Sequence, residues 1–244
     1  MKEGLDLKRY LSTAAVVAGI GLVGWQLAAG LQAQGAAAPQ GGAPAAPAAG
    51  RGPAPLPTFD TSKPAKLDLT TASARYRVKE QLVGVSFMND AVGSTDKVTG
   101  TIVIMPNGSF GPQSKLTVDM KSLSSDQEMR DGYIRNRVLD AEKFPVMEFV
   151  PKRAQGLPAP LPSPPAAQAI GFQMIGDMTL KGVTKEVTFN IAGTLRGATV
   201  AGVASTSFKF TDFNLPKPAV PLLLSAEDTI NIEVEFRAAR SIVP

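Results

Sequence analysis

The chain has 244 residues, 44% of them apolar and 19% charged, and it contains neither Cys nor His. That excludes thiolate nucleophiles, imidazole acid–base chemistry, disulfides and Cys/His metal sites, so any folded domain must hold by packing alone. The net charge of +4 comes from Lys and Arg scattered among Asp and Glu, not gathered beside aromatics, which argues against a nucleic acid partner.

Lys2, Lys8 and Arg9 precede an uncharged run from Leu11 to Leu31. A basic flank before an apolar run of small residues is the pattern of an export signal, and Ala33-Gln34-Gly35 supplies small residues where a signal peptidase cuts. The run also approaches the roughly 20 residues that a membrane-spanning helix needs, so residues 1–33 read either as a signal peptide or as a membrane anchor. With the basic flank held inside, both readings put the rest of the chain outside the cytoplasm, in the periplasm or an equivalent compartment and close to a membrane if anchored. Lipoprotein attachment is excluded, since it needs a Cys. Residues 34–58 are almost wholly Ala, Pro, Gly and Gln, with Arg51 as the one charge, and read as a disordered linker. Residues 59–240 then form a single domain with one core.

Within that domain the dominant period is two. Tyr76, Val78 and Leu82 alternate with Arg75, Arg77, Lys79 and Gln81, with Glu80 interrupting the apolar face. Leu116, Val118 and Met120 repeat the pattern, as do Val187, Phe189 and Ile191, and then Ile230, Ile232, Val234 and Phe236. Less regular strands are expected at Val98–Met105, Val146–Val150, Ile170–Leu180 and Val203–Phe210, with turns at Asn107-Gly108, Lys181-Gly182 and Asp212 to Pro218. One-sided strands of this kind make an antiparallel sheet, and periodicity alone leaves sandwich and barrel both open. A short helix is expected from Ser124 to about Leu139, capped by Ser124 or Ser125 with Asp126 and Glu128 at its positive end. The Pro- and Ala-rich stretch Gly156 to Gln168 reads as a long flexible loop outside the strands.

Three stretches resemble the YceI-like domain family: Ser114-Lys115-Leu116-Thr117-Val118-Asp119 leading into Ser122 to Asp126; Arg130-Asp131-Gly132-Tyr133-Ile134-Arg135 followed by Phe144-Pro145-Val146; and Gly176-Asp177-Met178-Thr179-Leu180-Lys181-Gly182-Val183-Thr184-Lys185. The resemblance implies an all-β fold, an extended eight-stranded antiparallel lipocalin-like barrel with one short helix, whose lumen holds a polyisoprenoid or similar lipid. Family members commonly carry His near the first strand and after the Arg-Asp pair. Here Thr71-Ala72-Ser73-Ala74 and Tyr133 stand at those places, so any ligand contact through those His residues is absent.

Taken together, Tyr76, Val118, Met120, Phe149, Met174, Met178, Val187, Phe189 and Ile191 are the candidate lumen lining. The same faces equally describe a barrel filled by its own side chains, and the resemblance favours the ligand. Arg130 and Arg135 are candidate head-group contacts, although a structural role suits Arg130 and Asp131 better, because neighbours on a helix point about 100° apart. Neither a paired carboxylate nor a phosphate loop stands out, so the reading is a non-enzymatic carrier of an isoprenoid lipid that needs no cofactor. The alternative is a solidly packed envelope module that binds another protein.

Overall fold

The computed structural model describes residues 56–164 and 166–243; the leader and nearly all of the linker fall outside the described residues. Its long strands are β1 (Ala65–Leu82), β6 (Val146–Gln155), β7 (Gln168–Leu180), β8 (Val183–Arg196), β9 (Thr199–Lys209) and β11 (Thr229–Ile242). Shorter strands are β2 (Asn89–Thr95), β3 (Val98–Ile104), β4 (Lys115–Asp119), β5 (Ser124–Ser125) and β10 (Leu223–Ala226). All pairings are antiparallel, and β11 pairs with both β9 and β1, which closes the sheet into a barrel.

Eleven strands occupy eight positions around the barrel. Ala74 pairs with Thr95 and Asp68 with Thr101 along one edge of β1, so β2 and β3 are two halves of one stave interrupted at Asp96 and Lys97. The short strands β5 and β4 flank the two halves of that stave, and β10 and β11 share the other edge of β1. Full closure removes the exposed sheet edges that an open sandwich would have to protect. The two-residue turn Lys181-Gly182, with positive φ at both positions (51° and 75°), joins β7 to β8 with the twist that a tight hairpin favours.

The apolar alternation points inward and builds one cluster from every stave. Close approach inside the barrel also explains Gly93 on β2: it faces Tyr76, and a Cβ there would overlap the Tyr76 ring. A register shift within Pro151–Arg153 bends β6.

The helical segment is α1 (Glu128–Tyr133), continued by a π-helical turn at Ile134–Val138. Its expected serine cap is absent: Gln127 holds the N-cap position without a side-chain cap, and Ser124 and Ser125 pair with β2 as β5. The Ser125 hydroxyl accepts from the Gln127 N–H and donates to Asp131 at 2.6 Å, tying the strand to the helix instead.

The Pro-rich stretch departs from the expectation of a loop lying outside the barrel. Leu161 is 4% exposed and belongs to the core. Arg240, itself 5% exposed, donates to the carbonyls of Leu161 and Pro162 and lies 4.6 Å from the Phe59 ring centre. The Phe59 N–H donates to Ser163 Oγ at 2.8 Å. Pro and Ala carry little side-chain entropy, so such a segment can pack wherever it presents a single anchor such as Leu161. The segment plugs the end of the barrel at which β1 begins.

Candidate functional site: the barrel lumen

Every residue proposed as lumen lining faces inward. Val118, Met120, Phe149, Met174, Met178, Val187, Phe189 and Ile191 are all buried, and Tyr76 is half-buried against the same cluster. Phe149 and Phe189 meet edge to face with ring centres 5.0 Å apart, a geometry that fixes both rings. These side chains come from β4 and its extension, β6, β7 and β8, and they form a tightly packed wall.

The side formed by β1, β9 and β11 is mixed, with Ala74, Val78, Val200, Ile230 and Ala238 buried. Ala72, Tyr76, Ala204, Phe208, Ile232, Val234 and Phe236 pack on the core yet remain only half-buried. In β11 they alternate with the exposed Asn231, Glu233, Glu235 and Arg237, so their direction is inward. Apolar side chains that pack on the core without being fully enclosed are where a flexible apolar guest would gain by displacing water. None of these side chains carries a charge, so a hydrocarbon chain lying against them leaves no ion to desolvate. Ile232, Val234 and Phe236 were visible as a strand pattern; Ala72 and Ala204 offered no apolar-bulk signal because their importance lies in being small.

A concavity of about 690 Å³ lies elsewhere, on the outer wall, lined by Arg75, Arg77, Thr188, Asn190, Ser205, Ser207 and Glu233 among others. Its charged and hydroxylated lining is wrong for an apolar chain. The lumen is the better candidate site on chemistry.

At the helix-bearing end, Arg130 donates to Glu80 at 3.1 Å and to Asp126 at 2.7 Å, and Arg135 donates to the Leu123 carbonyl at 2.7 Å. The glutamate that interrupts the apolar face of β1 is thus the partner of Arg130, with side-chain exposures of 13% and 22%. Both guanidiniums are engaged in holding the helical segment on the barrel. Truncating Arg130 to Ala is therefore expected to lower stability by about 1–3 kcal/mol, because Glu80 loses its partner, without changing bound lipid. Chemical denaturation with lipid quantified in parallel checks both halves.

Tyr76 lies beneath this cluster. Burial pushes its phenol up to about 12 from an ordinary value of 10.0, with Arg130 opposing the shift and nearby carboxylates reinforcing it. A raised value in the folded state means that stability is intact below the ordinary value and falls as pH rises through the interval. Alkaline unfolding should begin between about pH 10 and 12 and be blunted in Tyr76→Phe, as followed by phenolate absorbance and circular dichroism. Among the described residues no three acidic side chains converge into a cation site.

A sequence model of the YceI-like domain matches residues 66–238 of the chain. Among solved structures, a polyisoprenoid-binding domain from Saccharophagus degradans, implicated in plant cell wall breakdown, is similar at 13% identity and TM-score 0.53, covering 72% of this chain and 98% of its own. A YCEI protein from Campylobacter jejuni aligns at 19% identity and TM-score 0.51, over 66% of this chain and 91% of its own. BcnA from Burkholderia cenocepacia aligns at 18% identity and TM-score 0.50, over 68% and 95%. Among curated protein sequences none matches. At these identities the structural likenesses speak for the fold.

Proposed function

Because the chain belongs to the YceI-like domain family, we propose that it is a non-enzymatic, exported binding protein that holds an apolar lipid, a polyisoprenoid or isoprenoid quinone, in its barrel lumen for transport, storage or sequestration. The observation that carries this reading is the half-buried, uncharged inner surface of β1, β9 and β11 facing a packed wall of Phe and Met. An eight-stranded barrel is just wide enough to hold one slim guest, and a prenyl chain is slim, apolar and flexible. Met120, Met174 and Met178 on the opposite wall add unbranched, polarizable surface that adapts to such a chain. The similarity to a polyisoprenoid-binding domain supports the same ligand class. Export rests on the leader sequence, in which a basic flank precedes a long uncharged run.

The test is an organic extract of protein purified without detergent. A prenyl-chain lipid present in amounts comparable to the protein supports the reading. A folded protein whose extract is empty, and which takes up no added polyprenyl lipid, overturns it in favour of a filled barrel acting through its outer surface.

A further inference from the structure

Exposed large apolar side chains concentrate at one end of the barrel. Val83 (57% exposed), Phe87 (66%) and Met88 (40%) lie between β1 and β2, and Val220 (39%) and Leu224 (63%) lie in and just before β10. The two segments are joined: Glu80 to Leu82 pair with β10, and the Val83 N–H donates to the Leu222 carbonyl at 2.9 Å. The helix closes onto the same end through the Arg130–Glu80 pair and the Tyr133 hydroxyl, which accepts from the Ala219 N–H at 3.3 Å. Side chains of this size are rarely left in water as a group without a partner surface.

The charge pattern identifies the partner. Residues 81–89 (QLVGVSFMN) and 218–226 (PAVPLLLSA) contain no charged side chain. Three of the charges that bound them are already neutralised: Glu80 by Arg130, Asp90 by Arg77 and Lys79, and Lys217 by Asp228 at 3.9 Å. Turn hydrogen bonds from Val85 N–H to Leu82 and from Leu223 N–H to Val220 satisfy backbone groups that would otherwise oppose leaving water. A protein-binding rim usually mixes charge with apolar anchors, whereas two charge-free protruding tips fit the acyl boundary of a bilayer, where each buried apolar side chain contributes and no ion is desolvated. The chain also carries an uncharged run of near-spanning length at Leu11 to Leu31.

We infer that the tips at 83–88 and 220–224 insert shallowly into a lipid bilayer and present the helix-bearing end of the barrel to the membrane. The inference extends the lipid-carrier reading by locating the face through which a membrane lipid would exchange, but its test does not depend on that reading. The absence of Cys makes a single introduced thiol a unique labelling site. Phe87→Cys in the full chain, labelled with an environment-sensitive fluorophore, is mixed with phosphatidylcholine vesicles. Gln113→Cys, exposed in the loop between β3 and β4 at the opposite end, serves as the control. Circular dichroism and thermal midpoint verify the fold of each labelled protein, and the leader is common to both.

The expected result is a several-fold rise in emission at position 87, quenched by a lipid-borne quencher, with position 113 unchanged. Equal responses at both positions, or none on either neutral or phosphatidylglycerol-containing vesicles, overturn the inference. A position 87 probe shielded only as protein concentration rises, with a dimer in sedimentation, also overturns it and assigns the face to a second copy. Lipid extracted from the same preparations separates the two ideas. An aqueous probe on lipid-loaded protein rejects the docking face alone; an inserted probe on lipid-free protein rejects the carrier alone.

Discussion

Replacing residues 157–164 by a short Gly-Ser link should unfold the domain or bring it close to unfolding. Removing the buried Leu161 side chain alone costs about 2–5 kcal/mol, and losing the carbonyls that Arg240 uses adds about 1–3 kcal/mol. Against a total stability of roughly 5–15 kcal/mol, that leaves little. Arg240 sharpens the effect. Burial already holds its guanidinium below the ordinary value, and its Nε has no partner among the described residues, so its two carbonyl acceptors carry most of its compensation. Leu161→Ala is the milder variant, expected to lower the thermal midpoint by roughly 4–20 °C at about 2–4 °C per kcal/mol. Unchanged midpoints in both variants would show that the segment lies outside the core.

The second large effect is on lipid content. Ala204 faces inward from β9, paired in register with Ile191 on one side and Val234 on the other, and it is only half-buried. Ala204→Trp enlarges this inward-facing, half-buried position, where it should displace a guest and lower extracted lipid about tenfold, a loss of roughly 1.4 kcal/mol of binding or more. The fold should survive, because the position is not fully enclosed. Phe189→Trp is expected to behave in the opposite way. Phe189 is 6% exposed and locked against Phe149, so enlargement there strains the wall by about 1–3 kcal/mol. If Ala204→Trp destabilises the protein as much as Phe189→Trp, both sides of the barrel are equally filled.

The antiparallel sheet was legible in the alternation along β1, β8 and β11, while its closure into a barrel came from the family resemblance that the Gly-Asp-Met-Thr-Leu-Lys-Gly-Val-Thr hairpin helps carry. β2 was not legible: Asn89 to Thr95 is small and polar, and it forms a strand because Gly93 accommodates the Tyr76 ring. β1 begins at Ala65, earlier than the alternation from Arg75 shows, because Leu67 and Leu69 pack on the core but a register shift between Leu69 and Thr71 moves the inward positions to Ala72 and Ala74 and breaks the period. The Pro-rich stretch looked external because its one apolar anchor is isolated in sequence. Its partner, Arg240, is 79 positions away, and no local pattern reveals such a contact. For the site, alternation found the packed wall but passed over Ala72 and Ala204, whose small side chains face inward and are only half-buried.

The most direct measurement is native mass spectrometry of the intact protein, purified without detergent, beside its Ala204→Trp variant. The parent is expected to show an added mass matching one prenyl-chain lipid, lost on mild activation, while the folded variant appears mainly at its bare mass. A parent found only at its bare mass, before and after incubation with polyprenyl lipid, would contradict the account.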